Sequence, residues 1–300
     1  MRTHYRDPVV VIDDLIIGSD GTLGVISELE LKLIPEDALV WGCSCMFENR
    51  NDAIAFSNKL RERLTNIAAI EYFDDGALNI LRRQKTEKQS FASLPEIPAK
   101  VNYLIYCEIR CQETEEALNS LFTIGDAMKE LGLSEADSWV AREDSEIGRL
   151  IFLRHAVPES VNMMIDERKR KDPVITKLST DFSVDADHIE ELFDMFYTDL
   201  AKEGLESACW GHLGNYHPHM NIIPGSAEEY TRAKKLIAEW AEKAAKMGGT
   251  VSSEHGVGKI KRDFLKFMYT EAEIDEMRAL KLAFDPKNLL GRGNLFEVKQ

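Results

Sequence analysis

The chain has 300 residues, more than one ordinary domain of roughly 100–200, so two packed units are the first expectation. A hydrophobic fraction of 44% and a charged fraction of 30% fit a globular protein with a real core, while a net charge of −15 argues against a nucleic-acid binder, which needs a basic face. A small acidic substrate stays compatible with that charge only if its site carries local cations. The five cysteines show no CxxC spacing and read as free buried thiols of a reducing compartment. No apolar run approaches the roughly 20 residues of a membrane span, and no secretory leader is evident, so the default location is cytoplasmic.

In chain order, a β-branched stretch at residues 9–12 runs into Leu15-Ile16-Ile17 and reads as the middle of a domain. The turn Gly18-Ser19-Asp20-Gly21-Thr22-Leu23-Gly24 stands between two strand-like segments, and its glycines let backbone approach a ligand; taken alone, a plain glycine-rich hairpin turn explains it better. Strands are expected at 25–33, 40–47, 68–73, 101–109, 177–184 and 208–213 from alternating or continuous apolar residues. Spacing of 3.6 residues predicts helices at 52–64, 114–131, 187–202, 227–247 and 271–284; in the first, Ala53, Phe56, Leu60 and Leu64 share a face. Residues 84–100, polar with Pro95 and Pro98, read as a mobile loop, and the charge-dense 167–172 as a solvated turn. Strand-then-helix repetition over 40–196 predicts an α+β fold, an antiparallel sheet with helices on one face.

Chemistry concentrates in two stretches. In Gly211-His212-Leu213-Gly214-Asn215-Tyr216-His217-Pro218-His219-Met220-Asn221, His217 and His219 are two apart and would share a side of an extended strand, with His212 across a turn. Such imidazoles suit Zn²⁺ or a similar ion completed by a carboxylate; a hydrogen-bonded histidine turn without metal is the competing reading. Gly248–Gly258 reads as a short polar strand in which Glu254 and His255 would face opposite ways, one towards a metal and one towards a substrate, unless the pair is only surface polarity.

Taken together, these motifs resemble the FAD-linked oxidases of the vanillyl-alcohol-oxidase type. Residues 17–26 resemble their Gly-Ser-Glu-Gly-Thr-Leu-Gly-Ile turn, 211–221 their Gly-His-x-Gly-Asp-Gly-Asn-x-His-x-Asn segment, and 254–258 their Glu-His-Gly-Ile-Gly segment. Phe284-Asp285-Pro286-Lys287-Asn288-Leu289-Leu290 and Gly293-Asn294-Leu295-Phe296 resemble their closing runs. The D-lactate, glycolate and D-2-hydroxyglutarate dehydrogenases are the branch that this order of motifs resembles. The resemblance implies hydride transfer from a small 2-hydroxy acid to FAD, with a divalent metal (Zn, Mn or Fe) held by His212, His219 and Glu254. It also implies His255 as base, Arg154 as the grip on the substrate carboxylate and Asn221 on the substrate side. The flavin contacts would come from Gly18, Ser19, Gly21, Thr22, Gly24 and Asn294. Lys177 and Ser179 align only loosely.

Two departures stand out. Asn215-Tyr216-His217-Pro218 replaces the family's Asp-Gly-Asn run, so His217 becomes a competing ligand or an outer partner; Gly291-Arg292 replaces the family's Asn-Pro. Relatives carry a long segment before the glycine turn that wraps the FAD, so this chain is expected to be a fragment or half-enzyme. By the same resemblance, 1–35 is the remnant of the flavin domain, 36–206 the substrate or cap domain, and 207–300 a return to the flavin domain. Such a remnant should expose apolar surface and self-associate, or bind a separate flavin-binding or iron–sulfur subunit. A non-catalytic subunit that keeps the fold for assembly is the alternative; flavin-dependent alkyl transfer, which the metal-type histidines disfavour, is a third.

Overall fold

The computed structural model describes residues 12–298. Helix α1 (Ile12–Ile16) precedes the glycine turn; the β-branched residues 9–11 lie outside the described residues. The elements then run β1 (Leu39–Phe47), α2 (Arg50–Arg63), β2 (Ile67–Phe73), α3 (Asp75–Glu87), β3 (Tyr103–Cys111), α4 (Thr114–Glu130), β4 (Ser138–Ala141) and α5 (Asp144–Lys171). They continue with β5 (Leu178–Ser179), α6 (Ile189–Glu203), β6 (Ser207–His212), β7 (His217–Ile222), α7 (Ala227–Lys246), α8 (Leu265–Met268) and α9 (Glu271–Phe284).

Among the described residues seven strands join one sheet in the order β4-β1-β3-β2-β6-β7-β5, and every pairing is antiparallel. Because side chains alternate along a strand, the sheet serves two cores. Trp41, Cys43, Cys45 and Phe47 of β1 pack with α2, α4, α6 and α7, whereas Met46 of β1, Leu104 and Tyr106 of β3 pack with α3 and α5. The α+β expectation therefore holds, but helices cover both faces rather than one. The five cysteines are free and buried. β6 pairs with β2 at Glu71↔His212, so the sheet runs on without a break across residue 206.

Local chemistry explains most boundaries. Asn49 caps α2 through Asp52 N–H, and Asp74 caps α3 through Ala77 N–H. Asp74 also accepts from Cys209 N–H and Tyr197 O–H, and burial raises its carboxyl to about 6. Several expectations need correction. α3 reaches Glu87, and the rest of the segment expected to be mobile is held by buried Phe91, Leu94 and Ile97. Residues 167–171 are the last turn of α5 rather than a solvated loop turn; Pro158 inside that helix interrupts its helical signal in the sequence. The expected strand at 25–33 does not form: it has no pairing partner among the described residues, and Val25, Leu29, Leu31 and Leu33 are exposed. The apolar run before the glycine turn is helical from Ile12 to Ile16. No described helix is long and apolar enough to cross a membrane.

Candidate functional site

The β6–β7 hairpin sets the site. Its register places His212 opposite His217 and Trp210 opposite His219. His217, His219 and Asn221 occupy alternate positions of β7 and share one face. Gly211 has φ +136°, and a Cβ there would stand 2.7 Å from His219 Cδ2, so only glycine lets the histidine strand come this close. Tyr216 takes a left-handed φ of 52° to close the hairpin.

Each imidazole has a partner behind it. Glu71 of β2, almost fully buried, faces His212 Nδ1 at 2.9 Å and accepts from Arg154 of α5 at 2.7 Å. The Glu71 hydrogen bond raises the His212 pKa. His219 Nδ1 faces the Thr180 carbonyl oxygen at 3.3 Å. Burial, and then the neighbouring His217, lower its pKa to about 4, so its ring is neutral at neutral pH. His217 Nε2 lies 2.9 Å from Asp181 Oδ1.

Asp181 organises the other side. Its carboxylate accepts from Ser252 Oγ, Lys261 Nζ and the backbone N–H groups of Glu254 and His255. Burial pushes this carboxyl up, but the hydrogen bonds of His217, Lys261 and Ser252 outweigh it and hold the group well below the usual carboxylate range. The segment after Val251 is therefore a turn wrapped on Asp181, not a strand, and Glu254 and His255 do not face opposite ways. Glu254 Oε2 lies 3.2 Å from His212 Nε2 and 3.6 Å from His219 Nε2. The His255 ring lies 5.3 Å from that of His219. Donor atoms of His212, His219 and Glu254 all fall within 4.8 Å of one another, as do those of Asp181, His219 and His255.

Two cavities open on this cluster. One of about 240 Å³ is lined by Arg154, Lys177, Ser179, Trp210, His219 and His255; the other, of about 800 Å³, by Arg61, Arg110, Arg154, Glu108, His212 and Glu254. Lys177 and Ser179, weak in sequence, thus stand at the site. Asn221 is fully buried, donates to the His219 carbonyl and leaves its Oδ1 without a partner.

The glycine turn docks on the same loop. Asp20 Oδ2 accepts from Val257 and Gly258 N–H at 3.0 and 2.7 Å, and Asn294 Nδ2 donates to Asp20 O at 2.9 Å. A Cβ on Gly256 would strike Asp20 Oδ1 at 2.6 Å. Gly18, Gly21 and Gly24 have open space beside their Cα atoms, Ser19 is half-buried, and the buried Thr22 hydroxyl donates to the Ser19 carbonyl. Three stretches far apart in sequence thus meet. Sequence reasoning missed Glu71, Asp181 and Lys261; the available signal was an acid inside an apolar run, Ile70-Glu71-Tyr72-Phe73 and Asp181-Phe182-Ser183-Val184.

Residues 42–295 match the family model described as FAD linked oxidases, C-terminal domain. The chain is 27% identical over 287 residues to the glycolate oxidase subunit GlcD of Bacillus subtilis, covering 94% of this chain and 56% of that protein. It is 25% identical to D-lactate dehydrogenase (cytochrome) 1, mitochondrial, of Saccharomyces cerevisiae, covering 96% and 47%. It is also 25% identical to the D-2-hydroxyglutarate dehydrogenase of Stutzerimonas stutzeri, covering 94% and 58%. The chain spans about half the length of the curated relatives it matches. Among solved structures, p-cresol methylhydroxylase with substrate bound aligns at a TM-score of 0.60 with 14% identity, over 88% of this chain and 54% of that one. Alkyldihydroxyacetonephosphate synthase aligns at 0.55 with 14% identity, over 95% and 50%; both show the fold alone. With the match running from β1 to the segment after α9, the chain belongs to the FAD-linked oxidase family, as its C-terminal domain.

Proposed function

We propose that this chain is the substrate-side part of a flavin-dependent dehydrogenase or oxidase of small 2-hydroxy acids. The observation that carries this reading is the convergence of His212, His219, Glu254 and His255 on one wall of the cavities that Arg154 also lines.

The donor set fits a divalent cation. Two imidazoles, one of them held neutral by burial, and a carboxylate suit Zn, Mn or Fe, and Glu71 behind His212 supplies the outer carboxylate such ligands use. His212, His219 and Glu254 would hold such an ion, and its chemistry there would be to polarise an α-hydroxyl oxygen and lower its pKa. FAD fits the exposed backbone of Gly18, Gly21 and Gly24, which lies against the His255 loop, with Ser19, Thr22 and Asn294 shaping that turn. When bound, it supplies the acceptor for the hydride that leaves the α-carbon.

The chain's own residues do the rest. Arg154, half-buried and fixed by Glu71, offers its guanidinium to the substrate carboxylate, and that pairing supplies the local cation an acidic protein needs. His255, exposed at the cavity wall, takes the hydroxyl proton on a ring nitrogen as the 2-oxo acid forms. Asn221, with a free Oδ1 on the histidine face of β7, completes the set on the substrate side. The names of the relatives, which include glycolate, D-lactate and D-2-hydroxyglutarate enzymes, support the substrate class.

A second observation supports assembly. Val25, Ile26, Leu29, Leu31, Leu33 and Ile34 are exposed in one run, an apolar surface suited to self-association or a partner subunit. Light scattering across a concentration series tests this, and a monomer throughout counts against it.

The catalytic reading is tested by supplying the purified chain with a separate flavin-binding subunit, FAD and Zn²⁺, then following dye reduction with D-lactate, glycolate or D-2-hydroxyglutarate. Turnover is expected with at least one acid, and His255→Ala or Arg154→Ala should lower it at least about 100-fold. Failure of the wild type to take up metal and flavin or to turn over any of the three would sink the reading.

A further inference from the structure

The three imidazoles of the hairpin share one arrangement. His212 Nδ1 faces Glu71 at 2.9 Å, His217 Nε2 faces Asp181 at 2.9 Å, and His219 Nδ1 faces the Thr180 carbonyl oxygen at 3.3 Å. All three rear partners are acceptors. A carbonyl carries no proton, and Glu71 also accepts from Arg154. Asp181 is ringed by other donors: Lys261 Nζ, Ser252 Oγ and two backbone N–H groups. The hydrogen-bond network therefore assigns the ring proton to the rear nitrogen of each histidine and leaves a lone pair on the other.

Those three remaining nitrogens turn towards a single atom. Glu254 Oε2 lies 3.2 Å from His212 Nε2, 3.6 Å from His219 Nε2 and 4.0 Å from His217 Nδ1. Donors about 2.1 Å from a tetrahedral ion stand about 3.4 Å apart. The first two separations bracket that length. The third exceeds it by about 0.6 Å, and His217 stands just outside the set of His212, His219 and Glu254 whose donor atoms lie within 4.8 Å of one another, so its ring has to turn towards them to join the shell. The Asp181–His217 pair also repeats the carboxylate–imidazole arrangement that holds metal-ligating histidines in the correct tautomer.

We propose that His217 is a further ligand of the metal centre, making the protein donor set three histidines and one glutamate, with Asp181 as its outer carboxylate. This rests on the metal reading above and goes beyond it. It also gives a role to the departure at residues 215–218, where an imidazole stands in a hairpin that otherwise follows the family pattern. Four such protein donors would complete a tetrahedral set, so a divalent ion that tolerates a further oxygen ligand would suit the site best.

The test is X-ray absorption at the zinc edge on the full chain loaded with one equivalent of Zn²⁺, as wild type and as His217→Asn. Three imidazoles are expected in the wild type and two in the variant, with at least a 100-fold weaker zinc affinity in the variant. Two imidazoles in the wild type overturn the inference while leaving the two-histidine site standing. Absence of zinc uptake by the wild type overturns both readings. The wild-type spectrum carries the count by itself, so the result does not depend on the variant folding; His217→Gln, checked by circular dichroism, is the second variant.

Discussion

Two glycine-containing stretches of this chain look alike in sequence and differ in the fold. At 18–34, a glycine turn is followed by Val25, Ile26, Leu29, Leu31 and Leu33, and at 207–222 a glycine-bearing turn joins two apolar strands. The second is a hairpin paired to β2 on one side and β5 on the other, with every residue of β7 buried. The first has no strand partner among the described residues beyond its turn, and its apolar side chains face outward, Val25 at 81% and Leu33 at 83% exposed. Strand-forming residues make a strand only where a neighbour offers a ladder, so apolar alternation reports a capacity rather than a structure. The hairpin has that neighbour because Glu71 and His212 stand in register.

The largest effect should fall on the hairpin. A His212→Ala, His219→Ala double variant is expected to lose stoichiometric metal, at least about a 1,000-fold loss of affinity, read by plasma mass spectrometry after dialysis. Asp181→Ala leaves half-buried Lys261 and two backbone N–H groups without their acceptor, and urea unfolding should show a loss of about 3–5 kcal/mol.

Acid titration of the metal-free chain probes the same hairpin. His219 has a folded pKa of about 4 against an ordinary 6.5, so the unfolded chain binds its proton more tightly. Its contribution is fully present above pH 6.5 and is lost as pH falls towards 4, about 3 kcal/mol in all. The raised pKa of His212 acts in the opposite sense, its contribution being lost as pH rises through the folded value. Wild type and His219→Gln should therefore differ in the slope of stability between pH 4 and 6.5, and parallel curves would break the assignment.

Glycine replacements compare the two stretches directly. Gly211→Ala places a Cβ 2.7 Å from His219 Cδ2 at φ +136° and should cost about 3 kcal/mol; Gly18→Ala, at φ +80° in open space, should cost only about 1 kcal/mol. The smallest effect belongs to the unpaired run. Leu29→Ser or Leu31→Ser should change stability by no more than about 0.5 kcal/mol, because neither side chain is packed. A larger loss in thermal unfolding would show that the run is covered in solution.

Much of the site was legible in the sequence because ligand chemistry restricts residue types. His212, His219, Glu254, His255 and Arg154 all line the smaller cavity, and the helices at 52–64, 114–131, 187–202, 227–247 and 271–284 form within a few residues of their expected limits. Their apolar faces repeat every 3.6 residues, and that period is a local property. α5 was not legible, since Pro158 and a charged last turn conceal a helix whose stability comes from packing Leu153, Ala156, Val157 and Val161 against the sheet. Placement on both faces of the sheet, the unpaired state of 25–33, and the turn at 252–255 were likewise decided by tertiary contacts.

The sequence by itself determined the histidines and the glutamate of the candidate site, their order along the chain and the glycines that let β6 and β7 approach. Only the tertiary structure decided that Glu71 would stand behind His212 and Arg154, and that Asp181 would draw His217, Ser252, Lys261 and the Glu254–His255 backbone around one carboxylate. The physical reason is distance along the chain. Asp181 and Lys261 are 80 residues apart, and no local periodicity records a hydrogen bond that forms only once the sheet has closed between them.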